Sequence, residues 1–318
     1  LAVMESHGIL LDTDFLETFS KKVHDHRDHI TKDIYEMAGQ EFNIDSPTQL
    51  KKILFEVLEI SSRNIRKGKT GLSTAVSELE KMRGVHPIIE EIMKYREVSK
   101  LLNTYIDAFP VLVNKKTGAL HTNYNQTIAA TGRLSSTNPN LQNIPVRTEL
   151  GREIRNAFVA KKGMTLLAAD YSQIELRVVA SLSNDLKMIQ AFKEGIDIHT
   201  ATAAEMNGVA LEDVTKDMRR AAKAINFGIL YGMGPQGLAE GAHVSFEEAL
   251  DFIQQYNNAY PDVRRYMDEI LQQARALGYV ETMFGRRRYV PELKSGVMQV
   301  RRAAERMAID MPVQGTAA

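Results

Sequence analysis

The segment DMRRAAKAINFGILYG, residues 217–232, decides how this chain folds and what it can bind. Arg219, Lys223, Phe227 and Tyr231 follow one another every four residues, an interval that turns only about 40° around an α-helix. All four side chains can therefore face one ligand, cations first and rings beyond them. Cations suit phosphates and rings suit a base, so the stripe indicates a nucleoside triphosphate site. This segment alone leaves open an ordinary amphipathic helix with solvated cations and buried rings.

A second segment, MTLLAADYSQIELRVVASLS, occupies residues 164–183. Its apolar run, Met164–Ala169, predicts a buried strand that ends at Asp170, and the helix after it carries Glu175. A carboxylate at a strand-to-helix turn is a common Mg²⁺ ligand. The pattern also allows Asp170 to be no more than the N-cap of that helix.

Three segments closely resemble signature segments of the family A DNA polymerases: DYSQIELR (170–177), RRAAKAINFGILYG (219–232) and TGRLSSTNPNLQNIP (131–145). Four more are similar to the family in order and spacing, so the resemblance covers nearly the whole chain: FNIDSPTQLKKILFE (42–56), VLVNKKTGALHTNYNQT (111–127), GRRRYVPEL (285–293) and AERMAIDMPVQGTAA (304–318). The resemblance implies an α+β, right-hand polymerase fold with a helical thumb, an antiparallel-sheet palm and helical fingers, the palm being incomplete.

The pattern of elements predicts a division into four parts. Residues 1–105 resemble the thumb, 106–185 part of the palm, 186–297 the fingers, and 298–318 a truncated palm helix. Besides Met164–Ala169, strands are predicted at Val111–Val113, Ala119–Asn123, near Ile128–Leu134, and at Tyr279–Met283 with Arg288–Val290. Helices are predicted at Phe246–Tyr256, Pro261–Leu277 and Val297–Ile309.

Composition narrows the class of protein. The 318 residues include no Cys, which excludes disulfides and thiolate metal sites. No apolar stretch approaches about 18 residues and no charged leader is present, so we expect a cytoplasmic protein of a bacterial cell or phage-infected host, a monomer without membrane contact. Forty basic residues balance forty acidic ones. Cations nevertheless concentrate in residues 61–71 and 281–306, where they can meet phosphates or form ordinary solvated faces.

The resemblance implies template-directed DNA synthesis, in which a deoxynucleoside triphosphate is joined to the 3′ end of a primer with the help of two Mg²⁺ ions. Asp170 and the carbonyl of Tyr171 would hold metal. Arg219, Lys223 and His199 would contact the phosphates, and Gln173 is also expected at the nucleotide.

The same resemblance implies which residues contact the sugar of the nucleotide and which contact the duplex. Glu175, paired with Tyr231, would exclude a 2′-hydroxyl, and Phe227 would disfavour 3′-deoxy terminators. The residues expected to contact primer–template DNA are Arg133, Asn140, Gln142 and Gln314 near the primer terminus and Arg306 on the template side. Donors there can test the shape of a base pair without reading its sequence.

Two departures from the family pattern affect the expected activity. Asp310 stands where a neutral Asn is expected, and a carboxylate there would be repelled by phosphates. The family's second metal-binding aspartate, in a His-Asp-Glu segment, is expected beyond Ala318, so the isolated chain is predicted to be nearly inactive. A non-catalytic primer–template binding module is therefore the alternative function. A polymerase that makes RNA is a third possibility, which Glu175 disfavours.

Overall fold

The computed structural model describes residues 1–63, 65–68, 71–146, 148–242 and 244–318. They form two compact units, each with its own hydrophobic core. The first comprises residues 1–125 and 135–167, and the second comprises 126–134 and 168–318. The predicted division into thumb, palm and fingers follows other boundaries and stays a prediction. Helices and small antiparallel sheets make the chain α+β, as predicted.

The first unit is mainly helical. Its helices are α1 (Ala2–His7), α2 (Thr13–Ala38), α3 (Pro47–Lys52), α4 (Val76–Glu80), α5 (Pro87–Leu101), α6 (Ala108–Leu112) and α7 (Glu149–Glu153). Pi-helical turns at Ile53–Val57 and Leu102–Ile106 extend α3 and α5, and a 3-10 turn at Ile154–Ala157 follows α7. The long helix α2 begins where Asp12 accepts a hydrogen bond from the Phe15 amide and ends at Gly39, whose φ of 69° is left-handed.

In the part of this unit that the structure describes there are also seven short strands: β1 (Ile9–Leu11), β2 (Lys67–Gly68), β3 (Gly71–Leu72), β4 (Ala119–Leu120), β5 (Asn123–Asn125), β6 (Ser135–Thr137) and β7 (Phe158–Val159). They form an antiparallel sheet in the order β4-β1-β7 and the antiparallel pairs β2-β3 and β5-β6. Asn64, Lys69 and Thr70 of the predicted basic loop lie outside the described residues, so that prediction is covered only in part.

The second unit holds eight helices and one hairpin within its described residues. They are α8 (Ile174–Ser183), α9 (Leu186–Lys193), α10 (Ile198–Asn207), α11 (Lys216–Leu230), α12 (Pro235–Ala242), α13 (Phe246–Ala259), α14 (Pro261–Leu277), β8 (Tyr279–Glu281), β9 (Arg287–Tyr289) and α15 (Met298–Ala317). Two 3-10 turns lie at Leu211–Asp213 and Pro291–Lys294. The predicted bounds of α14 are confirmed. The predicted hairpin is present, but its first strand ends at Glu281 rather than Met283 and its second is Arg287–Tyr289 rather than Arg288–Val290. Helix α15 continues beyond the predicted Ile309.

The strand predicted at Met164–Ala169 is wrong. These residues are irregular, and Leu167 and Met164 are 89% and 71% exposed. An apolar run becomes a buried strand only where a neighbour takes up its backbone hydrogen bonds, and no strand of the described residues pairs with this one. The alternative for Asp170 is also wrong, because Gln173 occupies the N-cap position of α8.

Two other predicted strands are corrected. Val111 and Leu112 belong to helix α6, because Pro110 lies in its first turn, a position that proline tolerates well. Residues 128–134 form bends and turns, in which the Gly132 amide donates to the Ala129 carbonyl at 3.0 Å. Gly132 has a φ of 92°, a conformation that other residues rarely adopt, so pairing begins only at Ser135. None of the helices in the described ranges has the length and apolarity that a membrane crossing requires.

Candidate active site

The predicted stripe lies on helix α11. Thr215 caps the helix by accepting a hydrogen bond from the Met218 amide at 3.2 Å, so the first turn is well defined. Arg219, Lys223 and Phe227 follow along the helix, and Tyr231 is the residue that ends it. The helix prediction is confirmed.

Arg219 is held by a carboxylate that sequence reasoning missed. Its Nε and Nη2 atoms donate to Oδ1 and Oδ2 of Asp197, each at 3.0 Å. Gln173 also donates to Oδ2, at 3.3 Å, and the Thr200 amide and hydroxyl donate to Oδ1. Burial alone would raise the pKa of Asp197, but the hydrogen bonds from Arg219 and Thr200 outweigh it and hold the pKa well below its usual value. The signal available in the sequence was the N-cap pattern of Asp197 before α10.

Lys223 differs from its neighbours on α11. The residue is exposed, and no ion pair to it occurs among the described residues. Arg220, by contrast, forms a surface pair with Asp217 at 2.9 Å. Lys223 is thus a cation available to a ligand on the face that also carries Arg219.

His199 is buried between α10 and α11. It is 3% exposed, and its Nδ1 lies 3.0 Å from Nδ2 of Asn226, which donates to it. Asn226 also bonds Thr202, and the Thr202 hydroxyl lies 3.2 Å from the hydroxyl of Tyr260. Burial lowers the pKa of His199, with Arg219 and Lys223 lowering it further against Asp197. The neutral ring therefore carries its proton on Nε2.

Glu175 is held from two sides. It is 9% exposed, Arg133 donates to its Oε1, and the Tyr231 hydroxyl donates to its Oε2 at 3.1 Å. Burial raises the pKa of Tyr231 to about 12, with the charges of Glu175 and Asp310 adding to the effect. The Phe227 ring stacks beside Tyr231, with centroids 6.3 Å apart and planes 18° from parallel, and lies 5.7 Å from the His199 ring. The expected pairing of Glu175 with Tyr231 is present.

The remaining candidate residues are placed as follows. Asp170 and Tyr171 are exposed in the irregular segment before α8. Arg306 is exposed on α15 and Gln314 lies half-buried near its end. Asn140 and Gln142 belong to the first unit, where Oδ1 of Asn140 accepts from the Gln142 amide at 3.0 Å. That bond is the turn geometry that Asn commonly provides.

The model of DNA polymerase family A matches residues 13–318. The chain belongs to this family. It is 52% identical to a thermostable DNA polymerase I of Thermus thermophilus and 51% identical to DNA polymerase I of Deinococcus radiodurans, both across 100% of the chain. It spans only 38% and 33% of the lengths of those relatives.

A solved structure extends the family match to three dimensions. The POL domain of Pol1 from M. smegmatis, in complex with DNA primer-template and dNTP, superposes with a TM-score of 0.89 at 42% identity. The match covers 99% of this chain and 56% of that one. The fold is therefore that of a family A polymerase domain.

Family A DNA polymerases generally use divalent metal ions. The carboxylate of Asp170 and the carbonyl of Tyr171 are oxygen donors of the type that Mg²⁺ prefers, and both residues are exposed. Within the described ranges, no three His, Cys, Asp or Glu side chains lie close enough together to hold a metal. The donors fit a divalent ion in type and would supply part of a coordination sphere.

Proposed function

We propose that this chain is the greater part of the polymerase domain of an enzyme that performs template-directed DNA synthesis, adding deoxynucleotides to a primer 3′ end. The observation that carries the proposal is the arrangement of side chains around α11 in a family A chain. The helix carries Arg219 and Lys223, bonds His199 of α10 through Asn226, and ends at Tyr231, which donates to Glu175 of α8. We also propose primer–template DNA and deoxynucleoside triphosphates as partners, a monomer, and the bacterial cytoplasm as the place of action.

The triphosphate is proposed to bind along the N-terminal half of α11. Lys223 offers an ammonium that no described residue pairs with, a point charge suited to phosphate oxygens. Arg219 already bonds both oxygens of Asp197, so it reaches the nucleotide either by sharing its five donors or by leaving Asp197. His199 adds a neutral donor, Nε2–H, because its other ring nitrogen accepts from Asn226.

Sugar choice is proposed to rest on Glu175. Its carboxylate is held by Arg133 and Tyr231, so it cannot swing aside without breaking two hydrogen bonds. A rigid carboxylate beneath C2′ leaves no space for a 2′-hydroxyl, which favours DNA precursors. Phe227 lacks a hydroxyl that could replace contacts of the 3′-hydroxyl, which disfavours 3′-deoxy terminators.

Metal is proposed to bind at Asp170 and the carbonyl of Tyr171. When bound, a divalent ion stabilises the charge that develops on the phosphates and lowers the pKa of the attacking hydroxyl. The chain's own part is to present these oxygens without competition, since the described residues provide no hydrogen bond or ion pair to the Asp170 side chain. Arg133, Asn140, Gln142, Arg306 and Gln314 are proposed to contact the duplex.

A primer–template binding module without chemistry is the second candidate. The observation that favours it is the absence of any three-acid or His-containing metal cluster from the described residues. Primer extension by the full-length protein, compared with an Asp170→Ala variant of matched DNA affinity, separates the two functions. Extension that requires Asp170 supports the polymerase, and equal DNA binding without extension in both proteins supports the module.

A further inference from the structure

Asp310, on α15, is an acid for which the proposed function has no role. The residue is half-buried, and its Oδ1 atom is enclosed without a hydrogen-bond partner among the described residues. Enclosing a carboxylate oxygen in this way removes it from water without compensation. The charge of this side chain must therefore be balanced, or neutralised, by the groups around it.

The groups around Asp310 are those of the sugar site. The charged groups that act on it are Glu175 of α8, Arg133 of the loop before β6 and Arg288 of β9, and its own charge acts on Tyr231 at the end of α11. On α15 itself, Arg306 lies one turn earlier and is exposed.

Two packing contacts fix this neighbourhood. α15 packs against α8, which carries Glu175. Gly232, next to Tyr231, lies against α15 so closely that a Cβ there would be 3.2 Å from Cα of Arg306. The backbone at Asp310 therefore cannot move away from the Glu175–Tyr231 pair without moving the helix.

The surroundings of Asp310 shift its titration toward the neutral form. Burial raises its pKa, the charge of Glu175 raises it further, and Arg133 and Arg288 oppose the change. A neutral Asp310 does not compete with Glu175 for the Arg133 guanidinium. An ionised Asp310 attracts Arg133 and repels Glu175, so it weakens the interactions that hold the Glu175 carboxylate in place beneath the sugar.

We propose that Asp310 is a positioning residue of the sugar site, which in its neutral form leaves Glu175 held by Arg133 and Tyr231 and on ionising loosens that hold. The inference deepens the proposed function and rests on it. It makes the discrimination between deoxyribo- and ribonucleotides dependent on pH. Selectivity is greatest when Asp310 is protonated and falls as pH rises.

The first test measures selectivity in the full-length protein. The ratio of kcat/KM for a deoxynucleotide to that for its ribonucleotide is measured across the whole pH range in which both proteins extend primers, in the unmodified protein and in Asp310→Asn. We expect the ratio to fall several-fold with rising pH in the unmodified protein and to stay flat in the variant. The same fall in both proteins would overturn the inference.

Asp185→Asn is the matched control. Asp185 is a second buried acid whose pKa is raised by burial, and it caps α9 by accepting from the Met188 amide at 3.0 Å. Asparagine can keep that cap. This variant should show the pH profile of the unmodified protein, whereas loss of the profile here would mean that any buried acid of this unit has the same effect.

The second test needs no activity. In the 318-residue chain, the guanidinium ¹⁵N signals of Arg133 should follow the titration of Asp310 and should lose that response in Asp310→Asn. An unaltered response overturns the inference even when the full-length protein extends primers. If the Arg133 response is lost in Asp310→Asn but the full-length protein extends no primer, the proposed function is wrong instead. The coupling of Asp310 to Arg133 then still holds.

Discussion

At the scale of single residues, adjacent cations on α11 have different environments. Lys223 is unpaired among the described residues, whereas Arg220 is 81% exposed and paired with Asp217. If Lys223 binds the triphosphate, Lys223→Ala removes a charge-assisted contact of about 1.5–3 kcal/mol. The expected result in the full-length protein is a kcat/KM for deoxynucleotides lower by about tenfold or more, with DNA affinity unchanged.

Arg220→Ala is the control for that measurement, since it removes a cation from the same helix turn. In single-nucleotide kinetics, the kcat/KM of this variant for deoxynucleotides should stay close to that of the unmodified protein. Equal losses of kcat/KM in the two variants, or a parallel loss of DNA affinity, would mean that Lys223 binds the duplex rather than the triphosphate.

Glu175 gives the second prediction. Glu175→Ala opens a space about the size of a hydroxyl and removes the acceptor of Tyr231, so ribonucleotides should gain relative to deoxynucleotides by about 2–3 kcal/mol, roughly a hundredfold. The measurement is the ratio of the two kcat/KM values on one template. Tyr231→Phe, which removes only the hydrogen bond to Glu175, should produce a smaller shift in the same direction. An unchanged ratio in Glu175→Ala would make Glu175 a structural residue.

Asp310 gives a third prediction, concerning stability. Its pKa is raised in the folded chain above the reference value of 3.8, so its contribution to stability is full below that value and is lost as pH rises through the folded pKa. Asp310→Asn should therefore match the unmodified chain near about pH 3 and become relatively more stable toward neutrality, by about 1.4 kcal/mol for each pH unit between the unfolded and the folded pKa. Urea unfolding at a series of pH values measures the difference, and a constant difference would show that folding leaves this pKa unchanged.

At the scale of elements, the sequence predicted helices with local end signals and failed for strands whose existence depends on partners. Pro261 and Gly278 delimit α14 by chemistry present in the segment itself. Met164–Ala169 has the composition of a buried strand but no partner among the described residues, which a local pattern cannot reveal.

The candidate site shows the same limit. The four-residue interval revealed Arg219, Lys223, Phe227 and Tyr231, because one helix carries them all. Asp197 comes from another helix, and its bond to Arg219 depends on packing between α10 and α11. Contacts of this kind, between residues distant in sequence, require the tertiary structure.

The fourth prediction concerns that packing. Thr202, Asn226 and Tyr260 join α10, α11 and the start of α14 through hydrogen bonds in a buried region. Thr202→Val leaves two polar groups without a partner and should lower the free energy of unfolding by about 1–3 kcal/mol. In Tyr260→Phe the hydroxyl is absent, so adding Thr202→Val should cost less than it does alone. Urea unfolding of both single variants and the double variant measures this coupling, and strictly additive losses would contradict the network.

At the scale of the whole molecule, the fold and the chemistry have different requirements. Both units have their own hydrophobic cores, so we expect the 318-residue chain to fold. Residues 281–306 carry seven Lys or Arg against three Glu, enough local charge to attract a nucleic-acid backbone. The oxygens proposed to hold metal, by contrast, are only those of Asp170 and Tyr171, and the described residues contain no group of three acidic, His or Cys side chains that could hold an ion.

The last prediction follows from that contrast. The 318-residue chain should bind primer–template DNA, more weakly as salt rises, yet extend the primer no faster than background, because one metal-holding carboxylate cannot complete the two-metal site that phosphoryl transfer requires. Fluorescence anisotropy measures the binding, and gel analysis of primer extension in Mg²⁺, with the full-length protein as positive control, measures the chemistry. Mg²⁺-dependent extension by the chain alone, lost in Asp170→Ala, would show that another of its own acids completes the site. Extension that survives Asp170→Ala would instead remove Asp170 from the metal site altogether.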